Sequence, residues 1–204
     1  MAPTVDLRRQ QPELYRATAQ PRFVDVPELP FLVVDGEGDP NTAPGYAEAV
    51  QALYTVAYTL RFALKRRPDG VDAPVMPLEG LWWADDLSVF RGGDRSAWLW
   101  TMAIRQPDQV GADDVAAAVE QARRKKGATG LDRVRWERFA EGRAAQVLHV
   151  GPYSAEGPTI ERLHRFIAGS GCALSGRHHE IYLGDPRRAA PERLRTILRQ
   201  PVAG

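Results

Sequence analysis

The sequence runs twice through one order of elements: strand, Gly/Pro turn, amphipathic helix, strand, turn, strand. The first pass extends from Phe31 to Ile104 and the second from Ala145 to Val202. In each, an apolar run of strand length meets a breaker cluster and then a run with helical period. Matching Asp85 with Asp185 aligns Leu81 with Ile181, Trp82 with Tyr182 and Trp83 with Leu183, apolar and aromatic types against their like, with a shift of one residue also open. Two such halves burying one face against each other predict a pseudo-twofold α+β domain with a crevice at the seam, a common place for a small ligand. Residues 1–20 are polar and proline-spotted and read as a flexible lead-in with one helical turn at Glu13–Ala17. One domain then covers 21–204, with halves of about 21–127 and 128–204.

The individual elements follow from periodicity. Phe23–Asp35 alternates and then turns continuously apolar, a strand stopped by Gly36-Glu37-Gly38-Asp39-Pro40. Tyr46, Val50, Leu53, Ala57, Leu60 and Leu64 recur at helical spacing, predicting a helix over Tyr46–Lys65 with that stripe buried. Tyr54, Tyr58 and Phe62 form a second stripe, read as packing against a sheet, with ligand contact as the alternative. Pro77–Ala84 and Ala97–Ile104 read as strands joined by the turn-rich Phe90–Asp94, and Asp113–Lys126 as a helix ending at Gly127. Val134–Phe139 and Arg143–Val150 read as a hairpin about Glu141-Gly142, and Pro158–Ala168 as a helix with Ile160, Leu163 and Ile167 inward. Leu174–Leu183 is a predicted strand, Pro191–Arg195 a short helix and Thr196–Val202 a closing strand.

Bulk properties exclude several classes. With 204 residues and a formal net charge of +1, the chain lacks the concentrated basic surface that nucleic acid or an anionic membrane needs. The basic run Arg123–Lys126 is explained as a helix C-terminus meeting the negative pole of its dipole. The one cysteine, Cys172, cannot form an internal disulfide, the start has no apolar signal region, and no run is long enough to span a membrane. The expectation is a soluble, cytoplasmic protein, monomer or homodimer, without direct contact to nucleic acid or membrane.

The stretch His178-His179-Glu180-Ile181-Tyr182-Leu183 carries the chemistry. Strand alternation puts His178, Glu180 and Tyr182 on one face and His179, Ile181 and Leu183 on the other. A glutamate in so apolar a strand is costly to bury without a partner, and burial raises its pKa. The five tryptophans exceed what a small core needs; Trp82, Trp98, Trp100 and Trp136 lie on predicted strands. Adjacent strand residues point apart, so His178 and His179 do not share a metal, and no HExxH or cysteine cluster is present: no metal and no cofactor are expected. Ser175 lacks the strand–elbow–helix setting of a nucleophile, Cys172 has no base in view, and Gly36-Glu37-Gly38 has no lysine to complete a phosphate loop.

Four blocks in the C-terminal half, QVLHVGPYS (Gln146–Ser154), PTIERLHRF (Pro158–Phe166), HEIYLGDPRR (His179–Arg188) and PERLRTILRQPV (Pro191–Val202), resemble in order the motifs of the GyrI-like family. FLVVDGEGDPN and LEGLWW in the N-terminal half resemble its stand-alone branch, and the likeness covers roughly 20–202. It implies the bacterial regulator effector-binding fold, α+β with tandem pseudo-twofold β-α-β-β units and a ligand pocket at the seam. Some members of the family are ligand-sensing domains joined to helix-turn-helix modules and bind lipophilic, often cationic drugs; the first 20 residues are too few for such a module. Stand-alone members include hydrolases that open the cyclopropane of duocarmycin-like DNA-alkylating natural products.

The resemblance places the family's pocket glutamate at Glu180 and a pocket tryptophan at Trp82 or Trp83. The expected catalytic residues are Glu180, as base toward water, and Tyr182; the expected ligand-binding residues are Trp82, Trp83, Tyr153, Trp136, His149 and Glu79. The partner is a lipophilic aromatic small molecule. Detoxification by ring-opening hydrolysis stands beside non-catalytic drug binding, sequestration or sensing. A third class is a structural or gyrase-directed interaction protein.

Overall fold

A two-residue break at Pro27-Glu28 decides how the first part of the chain is used. The computed structural model, which describes residues 2–84, 95–125 and 129–204, divides the apolar run there into β1 (Arg22–Val26) and β2 (Leu29–Glu37). Proline has no N–H to give to a ladder, so a strand read as continuous from Phe23 to Asp35 ends and restarts. The two pieces serve different units. The first unit consists of residues up to Gln10, Leu29–Met76 and Gly80–Phe139; the second of Gln11–Glu28, Pro77–Glu79 and Ala140–Gly204. The division therefore does not fall at 127/128, because the chain passes between the units more than once.

In the first unit the strands lie in the order β3 (Leu78–Trp83), β4 (Leu99–Arg105), β2, β5 (Arg135–Phe139), with β2 antiparallel to both β4 and β5. The first two residues of β3 count with the second unit. The long helix α3 (Pro44–Lys65) lies on β2 and β4 and buries Ala49, Ala52, Leu53, Val56, Ala57, Leu60 and Leu64. Small alanines at this contact let the helix approach the sheet. The aromatic stripe beside it turns outward: Tyr58 is 47% and Phe62 52% exposed, so the packing expected of that stripe does not occur. A further helix, α4 (Ala112–Arg123), starts where the Asp114 carboxylate accepts from the Gly111 N–H at 3.0 Å. Its Arg123 pairs with Glu120 and Asp132. The repeat match at Asp85, the turn Phe90–Asp94 and the residues Lys126 and Gly127 lie outside the described residues.

In the second unit the order is β1, β6 (Gly142–Val150), β9 (Arg195–Ala203), β8 (His178–Tyr182), with β7 (Ala173–Leu174) pairing β9. Helix α5 (Gly157–Gly169) drives Leu163 and Ile167 against Ala145, Val147 and Leu198. Burying each of those two side chains is worth about 1.5–3 kcal/mol. β5 and β6 each pair within their own unit, so the hairpin expected about Gly142 does not form. Alternation marks both as strands but does not choose their partners. The predicted strand Leu174–Leu183 is interrupted where Gly176 adopts φ +59°, leaving β7 and β8.

The repeat is visible in the topology of each unit taken alone. β2-α3-β3-β4 and β6-α5-β8-β9 share the β-α-β-β order, and in both the last strand lies between the other two. Residues 2–20 are not a loose lead-in. Two short helices, α1 (Leu7–Gln10) and α2 (Pro12–Tyr15), bury Leu7 in the first unit and Leu14 and Tyr15 in the second.

Candidate functional site

Strand β8 separates two polar systems, one on each face. Along His178–Tyr182 the residues alternate between half-buried and buried, as period-2 geometry requires. The ladder sets Tyr182 opposite Thr196 and Thr196 opposite His149; Glu180 lies opposite Leu198, and Leu198 opposite Val147. Leu198 and Val147 are core partners of α5, so Glu180 and Tyr182 belong to the face that the helix covers. The other face carries the row His179, Arg199, Gln146.

On the helix face, the Tyr182 hydroxyl donates to Glu180 Oε2 over 2.7 Å. His178 Nε2 stands 3.5 Å from Glu180 Oε1. The Tyr153 ring meets the Tyr182 ring edge-on, with centroids 5.4 Å apart. Glu156, immediately before α5, is buried, and its carboxyl makes a hydrogen bond with that of Glu180. Burial, and then the charge of Glu180, push the Glu156 carboxyl up to about 9, against a smaller downward pull from the Thr196 hydroxyl.

The turn that carries Tyr153 and Glu156 is anchored by His149. Its Nε2 lies 3.2 Å from the Pro152 carbonyl and its Nδ1 3.1 Å from the Thr159 hydroxyl. A carbonyl only accepts, so Nε2 carries the hydrogen and Nδ1 accepts from Thr159. His149 is 6% exposed and committed at both nitrogens, which makes it a support for the site.

The opposite face holds a sealed charge network. His179 is wholly buried between two carboxylates, Nδ1 at 2.9 Å from Glu141 and Nε2 at 3.0 Å from Glu79. Arg199 donates to Glu141 at 3.0 Å, to Gln146 and to the Leu14 carbonyl, and the Tyr15 hydroxyl donates to Glu79 at 3.0 Å. Burial opposes the charge on His179, but Glu141 and Glu79 outweigh it and raise the imidazole to about 9. Burial likewise opposes ionisation of Glu141, and His179 and Arg199 overcome it to bring that carboxyl down to about 2. Glu79, expected at the ligand, is therefore enclosed on the side of β8 away from Glu180.

The tryptophans form a separate group in the first unit. Trp82 stacks on Tyr46 of α3 at 6.3 Å and meets Trp98 edge-on at 5.8 Å; Trp100 meets Tyr46 at 5.2 Å. Trp82 thus lies on the face of its strand toward α3, and the half-buried Trp83 on the other. Trp136 donates its indole N–H to the Val110 carbonyl at 3.1 Å, beside a groove of 360 Å³ lined by Val115, Val119 and Leu131.

Of the residues expected from sequence, the structure brings together Glu180, Tyr182 and Tyr153, with His149 behind them. Sequence reasoning missed Glu156, which looks like an ordinary acid near a helix start, and the Glu141–Arg199 pair. Among the described residues no group of three or more His, Cys, Asp or Glu is placed to hold a metal ion, and no helix is long and apolar enough to cross a membrane.

A paired α+β fold with a half-buried carboxyl cluster beside aromatic rings defines a small-molecule-binding domain. The chain belongs to the GyrI-like family: the model of the GyrI-like small molecule binding domain matches residues 19–203. It is similar to an uncharacterized conserved protein from Listeria innocua at 42% identity and a TM-score of 0.90, covering 98% of this chain and 100% of that one. It is also similar to a hydrolase from Listeria innocua at 40% identity and a TM-score of 0.87, over 98% of this chain and 100% of the other. The C-terminal domain of EcmrR shares the fold at 12% identity and a TM-score of 0.55, over 90% of this chain and 97% of that domain. No curated protein matches the chain.

Proposed function

We propose that this protein binds lipophilic, planar small molecules and hydrolyses a cyclopropanoid DNA-alkylating compound, with Glu180 as general base. The observation that carries the reading is the half-buried Glu180 carboxylate, held by the Tyr182 hydroxyl at 2.7 Å and flanked by the ring of Tyr153. The Listeria hydrolase at 40% identity supports hydrolysis as the reaction class.

A spiro-cyclopropyl dienone is electrophilic because opening its strained ring creates an aromatic phenol. Water attacks the ring CH2 and forms a C–O bond while Glu180 takes its proton. The cyclopropane C–C bond breaks, and its electron pair passes through the dienone to the carbonyl oxygen. That oxygen ends as a phenol, taking a proton from a hydroxyl such as that of Tyr153 or from solvent. Flat aromatic walls suit the ligand's ring system, and the rings of Tyr153 and Tyr182 supply them beside Glu180.

The test is to incubate the purified protein with a cyclopropanoid alkylator and follow the dienone absorbance and the product mass. Catalytic loss of the dienone, with a product heavier by one water, is expected. Stoichiometric binding with the compound recovered intact would overturn hydrolysis and leave the second reading, a drug-binding or sequestering domain. In that case the Glu180 carboxyl group pairs with a cationic group on the ligand.

A further inference from the structure

Two carboxyls meet at the N-terminal end of α5 with no cation between them. Glu156 Oε1 is fully buried, and among the described residues no N–H or O–H group donates to it. The group that faces it is another carboxyl, that of Glu180. Two carboxylates are both acceptors, so they hydrogen-bond only if one keeps its proton. Of the donors nearby, Tyr182 gives its hydrogen to Glu180 Oε2 and His149 spends its N–H on the Pro152 carbonyl, while the Thr196 hydroxyl draws the Glu156 carboxyl toward ionisation by less than burial and Glu180 oppose it.

We infer that Glu156 and Glu180 form one acid–base pair that shares a single proton, with Glu156 holding it and Glu180 left as the ionised, reactive member. The inference deepens the acid–base reading of the same site and rests on it for its catalytic meaning, though not for its existence. Exposure assigns the roles. Glu156 is 5% exposed and cannot be solvated as an anion, whereas Glu180 is more accessible and has the Tyr182 hydroxyl to support its charge. Protonated Glu156 donates to Glu180 and fixes which of its oxygens is open to water. Glu156 is therefore a positioning residue, and the pair carries one negative charge rather than two. A site of that charge suits a neutral or singly cationic ligand and disfavours a carboxylate.

Glu180 and the Thr196 hydroxyl act on Glu156 directly. The titratable and polar groups on the elements around them are Tyr182 and His178 of β8, His149 of β6, and Tyr153 of the turn before the helix. None of these is a lysine or arginine that would release the proton.

The experiment is an infrared pH titration of the protonated-carboxyl C=O stretch in the ligand-free protein, compared with E156Q and E180Q. Wild type shows a band at neutral pH that bleaches toward pH 9, and E156Q lacks it. In E180Q the neighbouring charge is gone, so the band bleaches at lower pH, by roughly one unit or more. A band that survives in E156Q, or the same midpoint in E180Q as in wild type, overturns the shared proton. Should E156Q fail to fold, the shift in E180Q decides alone. These readings need no substrate, so they stand even if the protein hydrolyses nothing. Where turnover is measurable, E156Q keeps kcat within a few-fold because its amide still donates to Glu180, while E156A loses about tenfold or more. E156Q as inactive as E180Q would make Glu156 a base itself and overturn the assignment of roles.

Discussion

Glu180 and Tyr182, two residues apart on β8, are joined through their side chains: the Tyr182 hydroxyl donates to Glu180 Oε2 over 2.7 Å. This is the distance of a well-formed O–H···O hydrogen bond. Replacing Tyr182 by Phe removes the donor while keeping the ring that Tyr153 packs on. The account expects kcat to fall about tenfold, equivalent to about 1.4 kcal/mol, with a melting temperature close to wild type. Steady-state kinetics beside a thermal melt checks both. Loss as complete as that of Glu180→Gln would mean that the hydroxyl takes part in the chemistry.

His179 holds two buried carboxylates together, and its removal leaves Glu141 to Arg199 and takes from Glu79 the cation beside it. His179→Ala is expected to cost on the order of 3–5 kcal/mol in urea unfolding, the range for breaking a buried ion pair. The pH dependence has two edges. His179 is raised from 6.5 to about 9, so its contribution is complete below pH 6.5 and is lost as pH climbs through 9. Glu141 is lowered from 4.5 to about 2, so its contribution is complete above pH 4.5 and is lost as pH falls toward 2. Wild-type stability from this network is thus greatest between about pH 4.5 and 6.5, and in His179→Ala the alkaline edge should flatten. A mutant that keeps the same alkaline slope as wild type would contradict the assignment.

Gly36 lies opposite Trp100 on neighbouring strands, and the indole ring covers the space where a side chain would stand. A methyl group there overlaps the ring, whose residue is 1% exposed and cannot swing outward. Gly36→Ala should cost about 1–3 kcal/mol by overpacking. Trp100→Phe in the same chain should return part of that, a coupling readable from a double-mutant cycle of melting data. Simple additivity would mean that the clash is relieved elsewhere.

Legibility from sequence followed how local each determinant is. The face shared by His178, Glu180 and Tyr182 was readable because strand alternation is geometric, and α5 because Leu163 and Ile167 recur at helical spacing. The doubled β-α-β-β order was readable for the same reason. Partner choice was not. Nothing within Phe23–Asp35 says that Val24 pairs with Ala144 while Val33 pairs with Ala103. In α3 two stripes compete for the sheet; the one with Ala49, Ala52 and Val56 wins because small residues allow close approach, which leaves Tyr58 and Phe62 outside. Glu156 was illegible because a glutamate beside a helix start has an ordinary explanation in the dipole. Only its placement against Glu180, twenty-four positions along the chain, gives it another role.

The central claim is that Glu180 is the base for hydrolysis, and Glu180→Gln tests it most directly. Glutamine keeps the shape and can still accept from the Tyr182 hydroxyl, but its amide cannot take up a proton. The measurement pairs single-turnover consumption of a cyclopropanoid dienone with equilibrium binding of the same compound. The account predicts a rate lower by about 10²–10⁴ with a Kd within a few-fold of wild type. Full turnover in Glu180→Gln would contradict it and move the base to another residue.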